Sequence, residues 1–338
     1  MPAISPQVIV DKIVEATQES GGVAAYVSET VRTNPRKFVF SLSRRTYSLW
    51  VYIWTLTFGG RKSLPDEYRI QMTSVSSPLQ KNTDPDGLTV LMGYHADLNM
   101  FAGFDLTKHS TFTTGSPSVQ INLSAIHSAL QNGLSFVTKN NNEIAIGVRP
   151  DQFLNYCINA ELLHFHGATG TFTDLLTKAA QSQAISEQDI SALAADRKLI
   201  VEKVRRYSRH ANFRKIVLNA YDNRCAVTRF QLRLVDAAHI LPVHSEDSSD
   251  LVTNGIALSP TFHRAYDNCL IYLDENFVMR LNQKKADELR QDRLDAGIRE
   301  FQSFLDKEIY LPIDPNQRPR KEYIKMANKH RRIPGYIT

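Results

Sequence analysis

The sequence is 338 residues long, 42 % hydrophobic and 22 % charged, with a formal net charge of +5. This composition excludes a chain that is disordered as a whole. The length predicts two domains, because single cores seldom grow beyond about 250 residues. The mild positive charge is only a weak indication of a polyanionic partner. The three cysteines form no C-x-x-C pair, which excludes a disulfide framework and a four-cysteine zinc site. The sequence shows no signal peptide and no apolar run long enough to span a membrane. We therefore expect a protein of the reducing cytoplasm without membrane contact.

Residues 1–167 are predicted to form a mixed α/β domain. Apolar residues at helical spacing predict a helix over about 6–35. Aromatic and β-branched residues over 47–58 are typical of a strand buried on both faces, and its aromatic residues could stack on bases, although core packing is the favoured interpretation. Further strands are predicted at 68–74, 88–94, 100–105 and 143–148, and helices at 124–130 and from Pro150. The Gly and aromatic residues of 93–97 and 103–105 match no motif, and we interpret them as turns.

Residues 168–185 are rich in Gly, Thr, Ser, Ala and Gln, a composition that predicts a linker. At Ser186 an N-cap signature opens a helical pattern that extends to about Tyr207 and resumes, after a break, over 213–221. Residues 186–338 are therefore predicted to form a second domain, which ends in a basic tail.

Three of the ten histidines fall within 25 residues of the second domain. The pattern around them predicts a strand at 232–240, a Ser- and Asp-rich loop, a short strand at 256–258 and a helix from Pro260. On that helix, the i, i+4 spacing places His263 and Asp267 on one face, which suits the binding of one cation.

Hydrolysis of a phosphodiester needs a base for water, positive charge at the phosphate and stabilisation of the leaving oxygen. His239 is our candidate base, because an imidazole can accept a proton near neutral pH. Asn254 would either hold the loop or orient that imidazole, and Asp236 is a candidate third metal ligand beside the helical pair. Asp247 and Asp250 are interpreted as solvated loop residues.

The segments A-A-H-I-x-P, N-G-I-x-L and H-x-x-x-D, in this order, resemble the HNH family of ββα-metal nucleases over about 50 residues. The resemblance implies a divalent metal ion, Mg²⁺ or Mn²⁺. It also implies His239 as the general base, Asn254 as the orienting amide, and His263 with Asp267 near the metal, His263 being a catalytic residue as well.

The sequence departs from this family in two places. The position directly before the base histidine, frequently a metal-binding Asp or His in the family, is Ala238, and Asp236 could take over the ligand role from the same strand face. The family often carries two C-x-x-C zinc pairs, of which only Cys225 remains, with Thr228 in place of its partner. We therefore expect no structural zinc.

A nuclease module this small needs another domain for selectivity, and the arrangement resembles that of bacterial restriction endonucleases, including those directed against modified DNA. We therefore expect an α+β protein with an N-terminal recognition or sensor domain, a helical linker and a C-terminal HNH domain that cleaves double-stranded DNA. Two alternatives remain open. One is a ligand-activated nonspecific defence nuclease, and the other is a DNA-binding protein with a degenerate HNH fold.

Basic residues near the HNH motifs are candidate phosphate contacts. They are Arg205, Arg206, Arg209, Arg214, Lys215 and Arg264. Because one HNH centre cuts one strand per docking, a double-strand break predicts a homodimer. The helix from Ser186 to about Tyr207 is a candidate dimer contact, although packing within one chain would explain its apolar residues equally well.

Overall fold

The computed structural model describes residues 4–42, 45–113, 115–139, 143–166, 170–181, 183 and 185–336. Its contacts divide the chain into two compact units, Met1–Ala211 and Asn212–Thr338. Both units combine helices and strands, which confirms the expected α+β class. Within the described ranges, no helix has the length and apolar character needed to cross a membrane.

Strands and helices alternate irregularly along the first unit. Its elements are α1 (Pro6–Glu19), β1 (Val23–Tyr26), β2 (Arg36–Leu42), β3 (Arg45–Thr55), β4 (Thr57–Phe58), β5 (Glu67–Gln71), β6 (Gly87–His95), β7 (Met100–Phe104), α2 (Leu106–His109), β8 (Ser118–Asn122), α3 (Leu123–Asn132), β9 (Leu134–Thr138), β10 (Ile144–Val148), a 3₁₀ turn (Pro150–Gln152), α4 (Phe153–His166), α5 (Gly170–Ala180), α6 (Glu187–Ser191) and most of α7 (Ala195–Ala220). The main sheet has the order β1-β2-β3-β6-β7-β10-β9, in which β3 and β6 are parallel and the other pairs antiparallel. A smaller sheet has the order β4-β5-β8.

The main sheet is covered on both faces. Val90 and Met92 of β6 belong to the core formed with α1, α4 and α5, whereas Leu91 belongs to the core formed with α3, as alternate residues of a strand should. On β3, Tyr52 is only 2 % exposed, so core packing is confirmed for this aromatic residue over base stacking.

Two predicted boundaries differ from the structure. The first helix ends at Glu19 rather than near residue 35, because Gly21 and Gly22 follow it and the chain turns into β1. The predicted linker contains α5, whose Phe172 and Leu176 are buried in the core of the first unit. Small residues pack well against a sheet, so their abundance here indicated a buried helix. Residues 168, 169, 182 and 184 of this segment lie outside the described ranges.

Helix α7 crosses the division between the units without the predicted break after Tyr207. Its N-terminal part packs within the first unit, where Ile200 is fully buried and Ile190 and Leu193 of the preceding segment pack against the same core. Of the apolar residues considered for a dimer contact, Leu199 is the exposed one, at 47 %. Packing within the chain thus accounts for most of this apolar pattern.

The second unit contains the end of α7 and a ββα arrangement. Its further elements are β11 (Asp236–His239), a 3₁₀ turn (Val252–Asn254), β12 (Gly255–Leu258), α8 (Pro260–Asp267), β13 (Ile271–Leu273), β14 (Met279–Leu281), α9 (Gln283–Gln291), α10 (Ile298–Gln302), a 3₁₀ turn (Pro315–Gln317) and α11 (Lys321–His330). Strands β11 and β12 form an antiparallel ribbon in which His239 pairs with Gly255. Strand β11 is shorter than predicted because Leu232 and Arg233 adopt left-handed backbone angles, with φ of 44° and 55°, in a turn before it.

Helix α7 lies directly on this ribbon at Gly255. A Cβ atom built on Gly255 would be 2.2 Å from Cγ2 of Val217 and 3.2 Å from Cζ of Phe213. Real Cβ atoms do not approach other heavy atoms to 2.2 Å, so the helix can occupy this position only because residue 255 has no side chain.

We expect Gly255→Ala to destabilise the second unit by about 1–3 kcal/mol, because the added methyl group overfills the contact with Val217. Denaturant unfolding of the full chain measures the loss. The Val217→Ala variant and the double variant complete a double-mutant cycle, in which the double variant should be more stable than the two separate losses predict. Simple additivity of the two losses would contradict the proposed contact.

Candidate functional site

His239 lies at the end of β11 and is fixed by two neighbours. Its imidazole stacks on the ring of Phe213, with centroids 3.6 Å apart and ring planes 11° from parallel. Its Nε2 atom lies 3.0 Å from Oδ1 of Asp250. Because an ionised carboxylate only accepts hydrogen bonds, this contact places the proton on Nε2 and leaves Nδ1 with the lone pair that can accept a proton.

The contact corrects the interpretation of Asp250 as a solvated loop residue. The carboxylate is half-buried and holds the imidazole from a position 11 residues further along the chain. No local pattern indicated this pairing, because it depends on how the loop returns towards β11.

Asn254 is fully buried and uses its amide to hold that loop. Its Oδ1 accepts a hydrogen bond from the Leu241 amide at 2.9 Å, and its Nδ2 donates to the carbonyl oxygens of Leu241 and Ser249 at 3.2 and 2.9 Å. Of the two roles predicted from the sequence, these bonds favour holding the loop. Since Ser249 directly precedes Asp250, Asn254 acts on His239 through the loop rather than by contact.

The other three predicted site residues lie together. Nδ1 of His263 is 3.8 Å from Oδ2 of Asp236, and Nε2 of His263 is 3.5 Å from Oδ2 of Asp267, one helical turn further along α8. The proximity of His263 lowers the pKa of Asp236 most, ahead of the positive charge of Arg214, while partial burial opposes the change. Asp236 therefore stays ionised well below neutral pH.

Arg214 was predicted to contact DNA, but its guanidinium group is used within the protein. Nη1 donates to Oδ1 of Asp236 at 2.9 Å, and Nη2 donates to the carbonyl oxygen of Val235 at 3.0 Å. The cause is its place on α7, one residue after Phe213, where the helix passes over β11. Arg214 therefore stabilises the position of Asp236 within the site.

The remaining predicted DNA contacts stay predictions. In the second unit, Lys215 and Arg264 are exposed. In the first unit, Arg206 and Arg209 are exposed and Arg205 is half-buried.

The side chains around His263 include donor atoms of the kind that bind a divalent cation. Asp236, His263 and Asp267 offer two carboxylates and one imidazole, a donor set that Mn²⁺, Co²⁺ or Ni²⁺ accepts readily, and all three side chains are open to solvent. In the part of the chain that the structure describes, no three His, Cys, Asp or Glu side chains are grouped closely enough to hold a metal ion as they stand. The donor types match such a cation, but binding would require the three side chains to move closer together, and the cation would compete with Arg214 and with protons for the donor atoms.

Ala238, the departure from the expected pattern, is only 1 % exposed and packs in the core of the second unit. Its methyl group offers no ligand atom, so any third protein ligand would have to come from another position. Asp236 is the residue of β11 that contacts His263.

Two family models match parts of this chain. Residues 225–274 match the family model described as HNH endonuclease, and residues 47–157 match the one described as Methylase-associated X1. The curated proteins contain no match to this chain. A solved structure described as a modification dependent TagI restriction endonuclease aligns with 11 % identity over 86 % of this chain and 84 % of its own, with a TM-score of 0.29. The match over residues 225–274 confirms the HNH resemblance, and the chain contains an HNH endonuclease domain at these residues.

Proposed function

We propose that this chain is a restriction-type endonuclease that hydrolyses phosphodiester bonds of double-stranded DNA. The observation that carries the proposal is the oriented imidazole of His239, on the same short strand as Asp236, within a domain that matches the HNH endonuclease model. The first unit would select the target. Its match to a methylase-associated family makes modified DNA a substrate to be tested beside unmodified DNA.

In the proposed mechanism, Nδ1 of His239 takes a proton from the attacking water molecule. Asp250 keeps the proton of the resting imidazole on Nε2 and stabilises the positive charge that the ring acquires, while Phe213 fixes the plane of the ring. His263 and Asp267, with Asp236 as a third candidate, would hold a divalent cation. When bound, such a cation supplies positive charge at the phosphate and at the leaving oxygen.

Cleavage of modified and unmodified DNA with Mg²⁺ or Mn²⁺ tests the proposal. Defined fragments would support a restriction-type enzyme. Smearing that requires an added nucleotide would instead favour a ligand-activated nonspecific nuclease, and binding without cutting would favour a non-catalytic DNA-binding protein.

We expect His239→Ala to lower the cleavage rate by about 10²–10⁴ while leaving DNA affinity nearly unchanged, because the general base is lost but no DNA contact is. Asp250→Asn should cause a smaller loss, since an amide oxygen can still accept the hydrogen bond from Nε2. Asp247→Asn, the same change at an exposed position of the same loop, is the matched control and should cut normally. A His239→Ala variant that keeps more than about a tenth of the wild-type rate would refute the base assignment.

We expect Asp267→Ala to weaken Mn²⁺ binding and cleavage together, with partial recovery of cleavage at high Mn²⁺ concentration, because one oxygen ligand is removed. Calorimetric titration with Mn²⁺ measures the binding without DNA. Asp292→Ala, at an exposed position at the end of α9, is the control for the loss of a surface charge. Cleavage that tolerates both the substitution and EDTA would exclude a role for metal at this site.

A homodimer remains part of the proposal on stoichiometric grounds. One base and one cation hydrolyse one phosphodiester at a time, and two-fold symmetry would bring two centres to opposite strands. We expect the molar mass measured by light scattering to double on binding DNA, if it is not already that of a dimer in free solution. A monomer in both states that releases only nicked circles would show a nickase instead.

A further inference from the structure

The first unit contains a cavity of about 150 Å³ to which the nuclease chemistry assigns no role. It lies at one end of the main sheet, where β6 begins and its antiparallel neighbour β7 ends at Phe104. Helix α4 covers it with Tyr156, Ala160 and His164, which follow each other at intervals of four residues on one helix face.

The inner wall of the cavity is aromatic and closely packed. A Cβ atom on Gly103 would lie 2.1 Å from Cζ of Tyr156, so the tyrosine ring rests directly against the backbone of β7. The ring of Phe104 also lines the cavity. Two aromatic rings in one small cavity favour a flat, apolar-faced ligand.

The buried polar groups of the wall favour a neutral ligand over a phosphate, and the two other charged side chains of the lining, Lys81 and Glu161, are of opposite sign. The hydroxyl of Tyr156 lies 3.0 Å from Nε2 of His164. Burial lowers the pKa of His164 to about 4 and raises the pKa of Tyr156 well above its usual range, so both side chains are neutral at physiological pH. The carboxylate of Asp105, which is only 6 % exposed, adds a negative charge that would repel an anion.

Asp105 also indicates which hydrogen-bonding groups the ligand carries. Its Oδ1 accepts hydrogen bonds from the amide and the hydroxyl of Thr107, at 2.9 and 2.6 Å. A carboxylate offers about four lone-pair sites, so Asp105 can also accept from a ligand, and it can only accept. Among nucleobases, the exocyclic amine of cytosine is the donor that Asp and Glu side chains recognise.

The size of the cavity agrees with a single six-membered ring. A cavity of about 150 Å³ lined by apolar side chains accommodates one benzene molecule in another protein, and the pyrimidine ring has nearly the same dimensions. We propose that this cavity binds one cytosine-type base that has turned out of the DNA duplex. The segment Gly103-Phe104-Asp105, which matched no motif in the sequence, thereby forms part of a binding wall.

This inference rests on the proposed function, because it assumes that the base belongs to a DNA substrate. A free cytosine nucleoside presents the same ring and the same amine, so the experiment must separate the two sources. It is therefore carried out as a binding measurement in EDTA, where the outcome does not depend on cleavage.

Fluorescence anisotropy of the full chain with three labelled duplexes tests the proposal. The first duplex is fully paired, the second has one cytosine opposite an abasic position, and the third has abasic positions in both strands there. Turning out a base costs least when it is already unpaired. We therefore expect the second duplex to bind on the order of tenfold more tightly than the other two.

Ala160→Phe fills the cavity from α4 and should abolish the preference for the unpaired cytosine while leaving affinity for the paired duplex unchanged. Ala25→Phe, the same change at an exposed position of β1, is the matched control and should keep the preference. If circular dichroism shows that Ala160→Phe does not fold, Asp105→Asn provides the test, because an asparagine oxygen can still cap Thr107 while its amine opposes that of cytosine.

Equilibrium dialysis with deoxycytidine separates the two sources of the base. Equal affinity for the three duplexes, together with deoxycytidine binding that Ala160→Phe abolishes, would overturn the DNA-bound base in favour of a free nucleoside signal. Equal affinity without nucleoside binding, or a preference that the folded cavity variants retain, would refute the site altogether. Neither result would affect the cleavage assigned to the second unit.

Discussion

The contact of α7 with Gly255 sets the geometry of the nuclease site. Gly255 pairs with His239 across the β11–β12 ribbon, and Val217 occupies the space that a side chain at residue 255 would fill. One helical turn earlier, α7 places Phe213 on the ring of His239 and Arg214 on the carboxylate of Asp236. Because Gly255 has no side chain, α7 can lie close enough to the ribbon to contact both ends of the four-residue strand β11.

The two histidines of the site differ in their surroundings, and this difference separates their proposed tasks. His239 has one carboxylate partner, on Nε2, and a ring face covered by Phe213, so its other nitrogen remains suited to proton transfer. His263 has a carboxylate beside each ring nitrogen and lies nearer to solvent, which suits it to a cation site. Environment rather than residue type therefore distinguishes a candidate base from a candidate ligand.

The sequence predicted those parts of the site that depend on local spacing. The ribbon followed by a helix and the shared face of His263 and Asp267 follow from periodicity, because strands and helices repeat over two and about four residues. Asp250 escaped prediction since its partner is reached only through the return of a loop, and Arg214 was assigned to DNA because its charge was visible in the sequence whereas its packing was not. Phe213 stands between these cases, because the helical pattern over 213–221 was predicted but no role was assigned to its aromatic ring.

In the first unit, the predictions were wrong where amino-acid composition was used to assign secondary structure. The segment containing α5 has the small and polar residues of a linker, yet the same small residues allow a helix to pack closely in a core. The first helix was extended across Gly21 and Gly22, although paired glycines are a visible signal for its end. Strand pairs in the main sheet join distant segments, so their order could not be deduced from periodicity alone.

The same structural device recurs at both proposed sites. Gly103 admits the ring of Tyr156 against β7, just as Gly255 admits Val217 against the β11–β12 ribbon. Glycine within a strand costs stability and offers no side chain to pack, so its presence at a close approach indicates that the neighbouring group must lie near the backbone. In each unit, the residues proposed to recognise or to cut DNA are positioned by such a contact within that unit. The proposed target selection and the proposed hydrolysis would therefore depend on separate local packing, so a substitution in the cavity wall of the first unit need not disturb the proposed chemistry of the second.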